Sequence, residues 1–172
     1  GSAGDFDGDG LDDLLIGGTN HDVAIENEGV AYIVLGSTGG WSSTSLADSH
    51  LMMLGNNEGD KTGRYLNGVG DISGDGKDDV VIAAPVADSL DGIAMENMGV
   101  VYGVLCGRAS GVIDLAEEAD FQVIGYAEND YLGKGIARAG DVDADGIDDF
   151  WLGANGDTSY GAIYLIHGVL SP

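Results

Sequence analysis

A nine-residue acidic segment occurs three times in this sequence, as DFDGDGLDD at 5–13, DISGDGKDD at 71–79 and DVDADGIDD at 141–149. Each copy has an oxygen-bearing side chain at positions 1, 3, 5 and 9 and a glycine at position 6. Asp and Gly are common in turns, so a single copy could be an ordinary turn. Three copies with one pattern indicate a repeated unit in which the acidic side chains serve the same purpose.

The stretches between these segments repeat as well. Each acidic segment is followed by an apolar run, LLIGG, VVIAA or FWLGA, and then by a second run, GVAYIVLG, GVVYGVLC or GAIYLIHG. The second runs hold Tyr32, Tyr102 and Tyr164 in register. The stretches LMMLGNNEGDKTGRYLNGVGD and FQVIGYAENDYLGKGIARAGD align without gaps, and each predicts a strand, a turn and another strand. Four strands per period of 66 or 70 residues are typical of a β-propeller blade.

The predicted fold class is therefore all-β, with four-stranded antiparallel propeller blades. Runs such as 80–82 and 33–35 are apolar at consecutive positions, which indicates strands covered on both faces. The chain holds about two and a half blades, in repeat units of approximately 1–54, 55–124 and 125–172. Because propeller rings have at least about four blades, we expect either a segment of a longer propeller chain or a ring that further copies complete as a homo-oligomer.

Charge and composition limit the classes of binding partner that this chain can have. The formal net charge is −24, from 6 basic and 30 acidic residues, which argues against nucleic acid and anionic membranes and favours cations. No apolar stretch approaches the roughly 18 residues of a membrane helix, so no membrane insertion is expected. The single cysteine, Cys106, excludes an intrachain disulfide.

Calcium is the cation that best fits the acidic segments. Side chains at odd positions of a curled loop can converge, and Ca²⁺ accepts six to eight oxygen ligands, including a backbone carbonyl at position 7. Mg²⁺ remains an alternative, although it retains more water. Zinc and copper are disfavoured because no His or Cys lies within the segments. The predicted ligands of three Ca²⁺ sites are Asp5, Asp7, Asp9, Leu11 and Asp13; Asp71, Ser73, Asp75, Lys77 and Asp79; and Asp141, Asp143, Asp145, Ile147 and Asp149.

Other polar residues receive simpler interpretations. The aspartates at position 8, Asp12, Asp78 and Asp148, are expected to face solvent or brace their loops. Asp60 and Asp130 occupy matching turns that they are expected to cap. Trp41 lies in a polar Ser/Gly stretch, where it either anchors the loop or stacks on a sugar. No catalytic arrangement is evident around the three histidines, which occupy unrelated repeat positions: His21, His50 and His167.

Over nearly its whole length the chain resembles the FG-GAP repeats of integrin α-subunit propellers and their bacterial relatives. The acidic segments correspond to that family's DxDxDGxxD calcium loop. The Phe-Gly element that opens a family repeat reads Thr62-Gly63 and Leu132-Gly133 here. The closing Gly-Ala-Pro element is kept approximately, as Gly17-Gly18-Thr19, Ala83-Ala84-Pro85 and Gly153-Ala154-Asn155. The resemblance implies calcium between the first and second strands of each blade, where it would rigidify the hairpin.

The function expected from this resemblance is a non-enzymatic, calcium-binding scaffold for extracellular adhesion or protein-ligand recognition. It would act at the cell surface or as a secreted protein, with an extracellular protein or glycan as partner. The connections of variable length, 20–28, 86–98 and 155–160, would present the binding surface. Two alternatives remain open: a carbohydrate-binding propeller and a non-catalytic module of a larger secreted hydrolase.

Overall fold

The computed structural model describes residues 1–22, 26–40, 45–90, 92–156 and 160–169. In the described ranges, helix is limited to α1 (Leu115–Glu118) and one 3-10 turn at Leu46–Asp48. Short β-strands form the remaining regular structure, as the many Val, Ile, Leu and Tyr runs predict. In chain order they are β1 (Ser2–Gly4), β2 (Asp13–Gly18), β3 (Val30–Val34), β4 (Leu51–Leu54), β5 (Tyr65–Gly70), β6 (Asp79–Ala84), β7 (Ser89–Leu90), β8 (Ile93–Ala94), β9 (Val100–Val104), β10 (Gly111–Asp114), β11 (Phe121–Ile124), β12 (Leu132–Gly140), β13 (Asp149–Ala154) and β14 (Ala162–Ile166).

Three sheets, called here the first, second and third blades, follow one another along the chain. Their strand orders are β1-β2-β3-β4-β10, β5-β6-β9-β11 and β12-β13-β14. Within each blade, consecutive strands of the meander pair antiparallel. The all-β prediction of partial propeller blades is confirmed.

The internal repeat is visible in the strand register. Tyr32 pairs with Ile16, Tyr102 with Ile82, and Tyr164 with Leu152, so the three tyrosines occupy equivalent places. Tyr32 and Tyr102 are buried, whereas Tyr164 in the third blade is 42% exposed.

The first blade departs from the predicted four-stranded antiparallel form. Strand β10 belongs to the connection between β9 and β11, yet it pairs in parallel with β4 of the first blade, placing Val112 opposite Met52. A small hairpin of β7 and β8 lies within the variable connection that precedes β9. These three strands lie in connections outside the aligned apolar runs, so the repeat pattern did not predict them.

The hydrophobic core lies between the blades. Leu15 of the first blade and Ile82 of the second belong to one buried cluster. Val81 of the second blade and Phe150 of the third belong to another. The neighbours Val81 and Ile82 thus point to opposite faces of β6, and each face is covered by an adjacent blade, as the continuous apolar runs predicted.

No helix in the described ranges is long and apolar enough to cross a membrane.

Candidate metal centres

Each acidic segment forms the turn between the first two strands of a blade. Loop 1 (5–13) joins β1 to β2, loop 2 (71–79) joins β5 to β6, and loop 3 (141–149) joins β12 to β13. This is the position implied by the family resemblance.

The position-1 carboxylate forms a hydrogen bond within its own loop. Oδ2 of Asp5, Asp71 and Asp141 accepts the backbone N–H of the position-6 glycine, at 3.0, 2.8 and 3.0 Å. These glycines have φ of +89°, +91° and +92°, a conformation that other residues rarely adopt. A Cβ at any of the three would have no neighbour within 4 Å, so backbone conformation rather than space requires the glycine.

Position 9 holds each loop from inside the core. Oδ2 of Asp13, Asp79 and Asp149 accepts the N–H of position 2, at 2.8, 3.0 and 2.8 Å. Oδ1 accepts an N–H from the last residue of the second apolar run, at 2.7, 2.8 and 3.0 Å, the donors being Gly36, Cys106 and Gly168. All three aspartates are at most 1% exposed. One buried carboxylate therefore joins the loop to the third strand of the hairpin meander.

The position-9 carboxylates titrate differently in the three loops. Burial raises the pKa of Asp79 from 3.8 to about 6, against the lowering effect of its hydrogen bonds from Cys106 N–H and Ser73. Burial also raises the pKa of Asp13. The hydrogen bond from Val142 N–H, aided by Gly168 and His167, lowers the pKa of Asp149 despite its burial. A nearby cation would stabilise the ionised form of Asp79 against this effect of burial.

The structure brings some of the predicted ligands together. In loop 1, carboxylate oxygens of Asp5, Asp7 and Asp13 lie within 4.8 Å of one another. Loop 3 has a comparable group whose members are Asp141, Asp143 and Asp145. Among the described residues, no group of three Asp, Glu, His or Cys side chains forms at loop 2, where Ser73 stands at position 3. The oxygen-only groups of loops 1 and 3 fit a hard cation such as Ca²⁺.

The position-5 carboxylates shape the loop near position 7. Oδ1 of Asp9, Asp75 and Asp145 accepts the N–H of position 7, at 2.9, 3.0 and 2.9 Å. The position-7 residues whose carbonyls are predicted ligands are Leu11, Lys77 and Ile147. Their role as ligands stays a prediction.

Position 8 links the loops of neighbouring blades. Asp78 Oδ2 accepts the N–H of Asp5 at 2.9 Å, and the Asp78 N–H donates to the Asp5 carbonyl at 3.2 Å. Asp148 makes the same pair of bonds to Asp71, at 3.1 and 2.9 Å. Arg138 Nη2 also lies 2.5 Å from Asp148 Oδ2. The expected bracing role is confirmed for Asp78 and Asp148, but each braces the loop of the preceding blade rather than its own.

A glycine makes room for this link. Gly4 and Gly70 directly precede loops 1 and 2 and have φ of +73° and +87°. A Cβ at either residue would lie 2.1 Å from Oδ2 of the linking aspartate, Asp78 or Asp148 respectively. The Gly-Asp pair at the start of each loop was the sequence signal for the link, although sequence reasoning did not use it.

No His or Cys lies within the acidic segments, but the structure places an imidazole beside loop 3 and a thiol beside loop 2. His167 Nδ1 lies 3.2 Å from Asp143 Oδ2 and 3.3 Å from Asp149 Oδ1. Cys106 Sγ donates to Asp75 Oδ2 at 2.8 Å. Burial, with the neighbouring carboxylates, raises the pKa of the Cys106 thiol, so it remains protonated at neutral pH. These side chains come just after β9 and β14, whose ends lie beside the loops, so a search within the nine-residue segments could not find them.

The remaining singled-out residues have structural contacts where they are described. Asp130 accepts the N–H groups of Tyr126 and Ala127 at 2.9 and 2.8 Å, which confirms the predicted turn cap. Asp60 is buried, accepts the side-chain N–H of Asn57 at 3.0 Å, and has its pKa raised by burial to about 6. Trp41 lies outside the described residues.

With this geometry established, sequence comparison identifies the repeat. Residues 65–101, which include loop 2 with strands β5, β6 and the start of β9, match the FG-GAP repeat model. The chain contains an FG-GAP repeat. The family resemblance inferred from the acidic loops is thereby confirmed, and the matched FG-GAP segment contains the loop whose side chains converge least.

The whole chain is similar to integrin alpha subunits. It is 30% identical over 168 residues to integrin alpha-PS2 of Drosophila melanogaster, covering 96% of this chain and 11% of that protein. It is 29% identical over 181 residues to integrin alpha pat-2 of Caenorhabditis elegans, covering 97% and 13%. It is 29% identical over 156 residues to integrin alpha-4 of Xenopus laevis, covering 88% and 14%. The chain thus spans between a tenth and a sixth of the length of these relatives.

Proposed function

We propose that this chain is a calcium-stabilised propeller segment that serves as a non-enzymatic scaffold for extracellular adhesion or ligand recognition. The observation that supports it most strongly is the convergence of Asp5, Asp7 and Asp13 in loop 1 and of Asp141, Asp143 and Asp145 in loop 3. These are oxygen donors on turns whose backbone is already curled, which is the donor chemistry that Ca²⁺ prefers. The similarity to integrin alpha subunits supports the adhesion role.

The ions would act on stability through charge. The formal charge of −24 is partly concentrated in the three loops, and three divalent ions would reduce it to −18. Because the position-9 aspartates are buried, neutralising the carboxylates above them removes repulsion in a poorly solvated region. Loop 2, with Ser73 at position 3 and Asp75 bonded to the Cys106 thiol, would bind its ion most weakly.

The inter-blade links give the ions a second effect. Position 1 of loops 1 and 2 is both a proposed calcium ligand and, through its N–H, the partner of the next blade's position-8 carboxylate. An ion that fixes position 1 therefore also fixes the contact between two blades. Calcium would stiffen the stack as well as each hairpin.

The ligand-binding surface is proposed to lie on the variable connections 20–28, 86–98 and 155–160, with an extracellular protein or glycan as partner. The third blade is proposed to pack against a further blade, from a longer chain or a second copy. Trp151 and Ile163 on its outer face are 39% and 76% exposed, whereas their equivalents in the second blade, Val81 and Val101, are fully buried. The units 1–54, 55–124 and 125–172 are the proposed repeats.

Thermal unfolding with calcium or with chelator tests the calcium proposal. If each site binds with a dissociation constant of about 0.1–1 mM, roughly 10 mM calcium adds about 1.4–2.7 kcal/mol of stability per occupied site. Asp7→Asn and Asp143→Asn should each reduce the calcium-dependent rise in melting temperature. Asp12→Asn, which changes an exposed position-8 carboxylate, is the matched control and should retain the full rise. An unchanged midpoint on adding calcium would show that the loops have no metal-dependent structural role.

A further inference from the structure

The end of the third blade combines an imidazole with two carboxylates. Strand β14 ends at Ile166, and the next residue, His167, turns its Nδ1 towards loop 3. Nδ1 and carboxylate oxygens of Asp143 and Asp149 all lie within 4.8 Å of one another. Because Asp141 and Asp145 are not members of this group, it differs from the oxygen-only group in the same loop.

The distances suit a small transition-metal ion. Two ligands that each lie about 2.1 Å from zinc are about 3.4 Å apart at the tetrahedral angle and about 3.0 Å apart at a right angle. The observed separations from Nδ1 are 3.2 Å to Asp143 Oδ2 and 3.3 Å to Asp149 Oδ1. Both carboxylates therefore stand at the spacing from Nδ1 that neighbouring ligands have around one ion, and the whole group spans less than 4.8 Å.

Backbone hydrogen bonds fix the orientation of one of the three ligands, Asp149. Asp149 is 1% exposed and accepts N–H groups from Val142 at 2.8 Å and Gly168 at 3.0 Å. Such hydrogen bonds to a coordinating carboxylate orient it towards a metal. Asp143 and His167 are about half exposed, so an ion can reach the group from solvent.

Repeat symmetry shows that the imidazole is not needed for the fold. The residues equivalent to His167 are Leu35 and Leu105, each directly before the residue whose N–H binds the position-9 aspartate. Those two blades form the same loop frame with leucine at this place. Of these three equivalent positions, the one beside loop 3 carries an imidazole and the other two carry leucine.

We propose that Asp143, Asp149 and His167 form a binding site for a borderline divalent transition metal, with Zn²⁺ the best fit. Imidazole suits such metals far better than it suits calcium. His167 would bind through Nδ1 as the neutral ring with its proton on Nε2, and water would complete the coordination. Because Asp143 also belongs to the oxygen-only group, zinc and calcium would compete for loop 3. That competition rests on the proposed calcium function, whereas the zinc site itself does not.

Zinc titration of the folded, calcium-free chain tests the proposal, with isothermal calorimetry and the histidine ring signals in NMR as readouts. In the wild type we expect the His167 ring signals to shift as one equivalent of zinc is added. His167→Leu, which installs the residue of the other two blades, should weaken the tightest zinc site at least about tenfold. His21→Leu, which removes a histidine remote from the loops, should leave it unchanged.

Two results would overturn the zinc site: equal zinc affinity in the wild type and His167→Leu, or zinc-induced shifts at His21 or His50 without one at His167. If His167→Leu does not fold, the wild-type ring signals still decide. Calcium isotherms of the same samples separate the two proposals. Zinc binding at His167 without calcium binding at any loop would contradict the calcium function alone, and the reverse pattern would contradict the zinc site alone.

Discussion

Replacing Asp148 with alanine should weaken the contact between the second and third blades. The Asp148 side chain is 16% exposed and accepts both the Asp71 N–H, at 3.1 Å, and Arg138 Nη2, at 2.5 Å. A hydrogen bond to a charged group contributes about 1.5–3 kcal/mol. The Arg138 side chain is 53% exposed, so its ion pair adds roughly 0–1 kcal/mol. Because the backbone bond from Asp148 N–H to Asp71 remains, we expect a loss of about 2–3 kcal/mol.

Urea unfolding in excess calcium measures this loss, and the melting temperature should fall by roughly 4–12 °C. Asp12→Ala is the matched control, because Asp12 has the same residue type and loop position but an exposed side chain, and its change should stay within about 0.5 kcal/mol. Asp148→Asn, which keeps an acceptor for Asp71 N–H but loses the charge, should fall between the two. Equal stabilities of Asp148→Ala and Asp12→Ala would refute the inter-blade role of position 8.

Three further substitutions test other parts of the account. Ala144 has φ of +62° where loops 1 and 2 have glycine, so Ala144→Gly should stabilise the chain by up to about 1 kcal/mol. Denaturant unfolding measures this change, and a loss of stability would contradict the expectation. Gly70→Ala should destabilise it more than Gly107→Ala, since both have positive φ but only the Cβ at 70 would meet Asp148, at 2.1 Å; equal effects measured by melting would contradict the clash. Asp60 has a folded pKa of about 6 against 3.8, so the folded state binds more protons between these values and the wild type loses stability as pH rises from about 4 to 6. The free energy of unfolding of Asp60→Asn should therefore exceed that of the wild type by roughly 1–3 kcal/mol above pH 7 and by little below pH 4. Urea unfolding measures this difference, and a difference that does not change with pH would rule the effect out.

Sequence periodicity predicted most of the blade architecture because each strand of a repeat obeys the same local pattern. Consecutive apolar residues such as Val81 and Ile82 required two covered faces, and the structure covers both. Likewise, the glycine at position 6 suits the curled loop expected from the sequence, and Gly10 has φ of +89°.

Contacts between repeats were less accessible to sequence reasoning. The bond from Asp78 to Asp5 joins residues 73 positions apart, and its one local sequence signal is the glycine that precedes Asp5. His167 reaches loop 3 only because the third strand of the blade ends beside it. Strand β10 pairs with β4 of the first blade and not with a strand of its own repeat, and this pairing depends on tertiary packing more than on local propensity.

A crystal structure determined at about 10 mM calcium would show directly whether the acidic loops bind ions. We expect one ion in each loop, bound by the side chains of positions 1, 3, 5 and 9 and the carbonyl of position 7 at roughly 2.3–2.6 Å. Loops that hold only water, or the ammonium group of a lysine such as Lys77, would contradict this expectation.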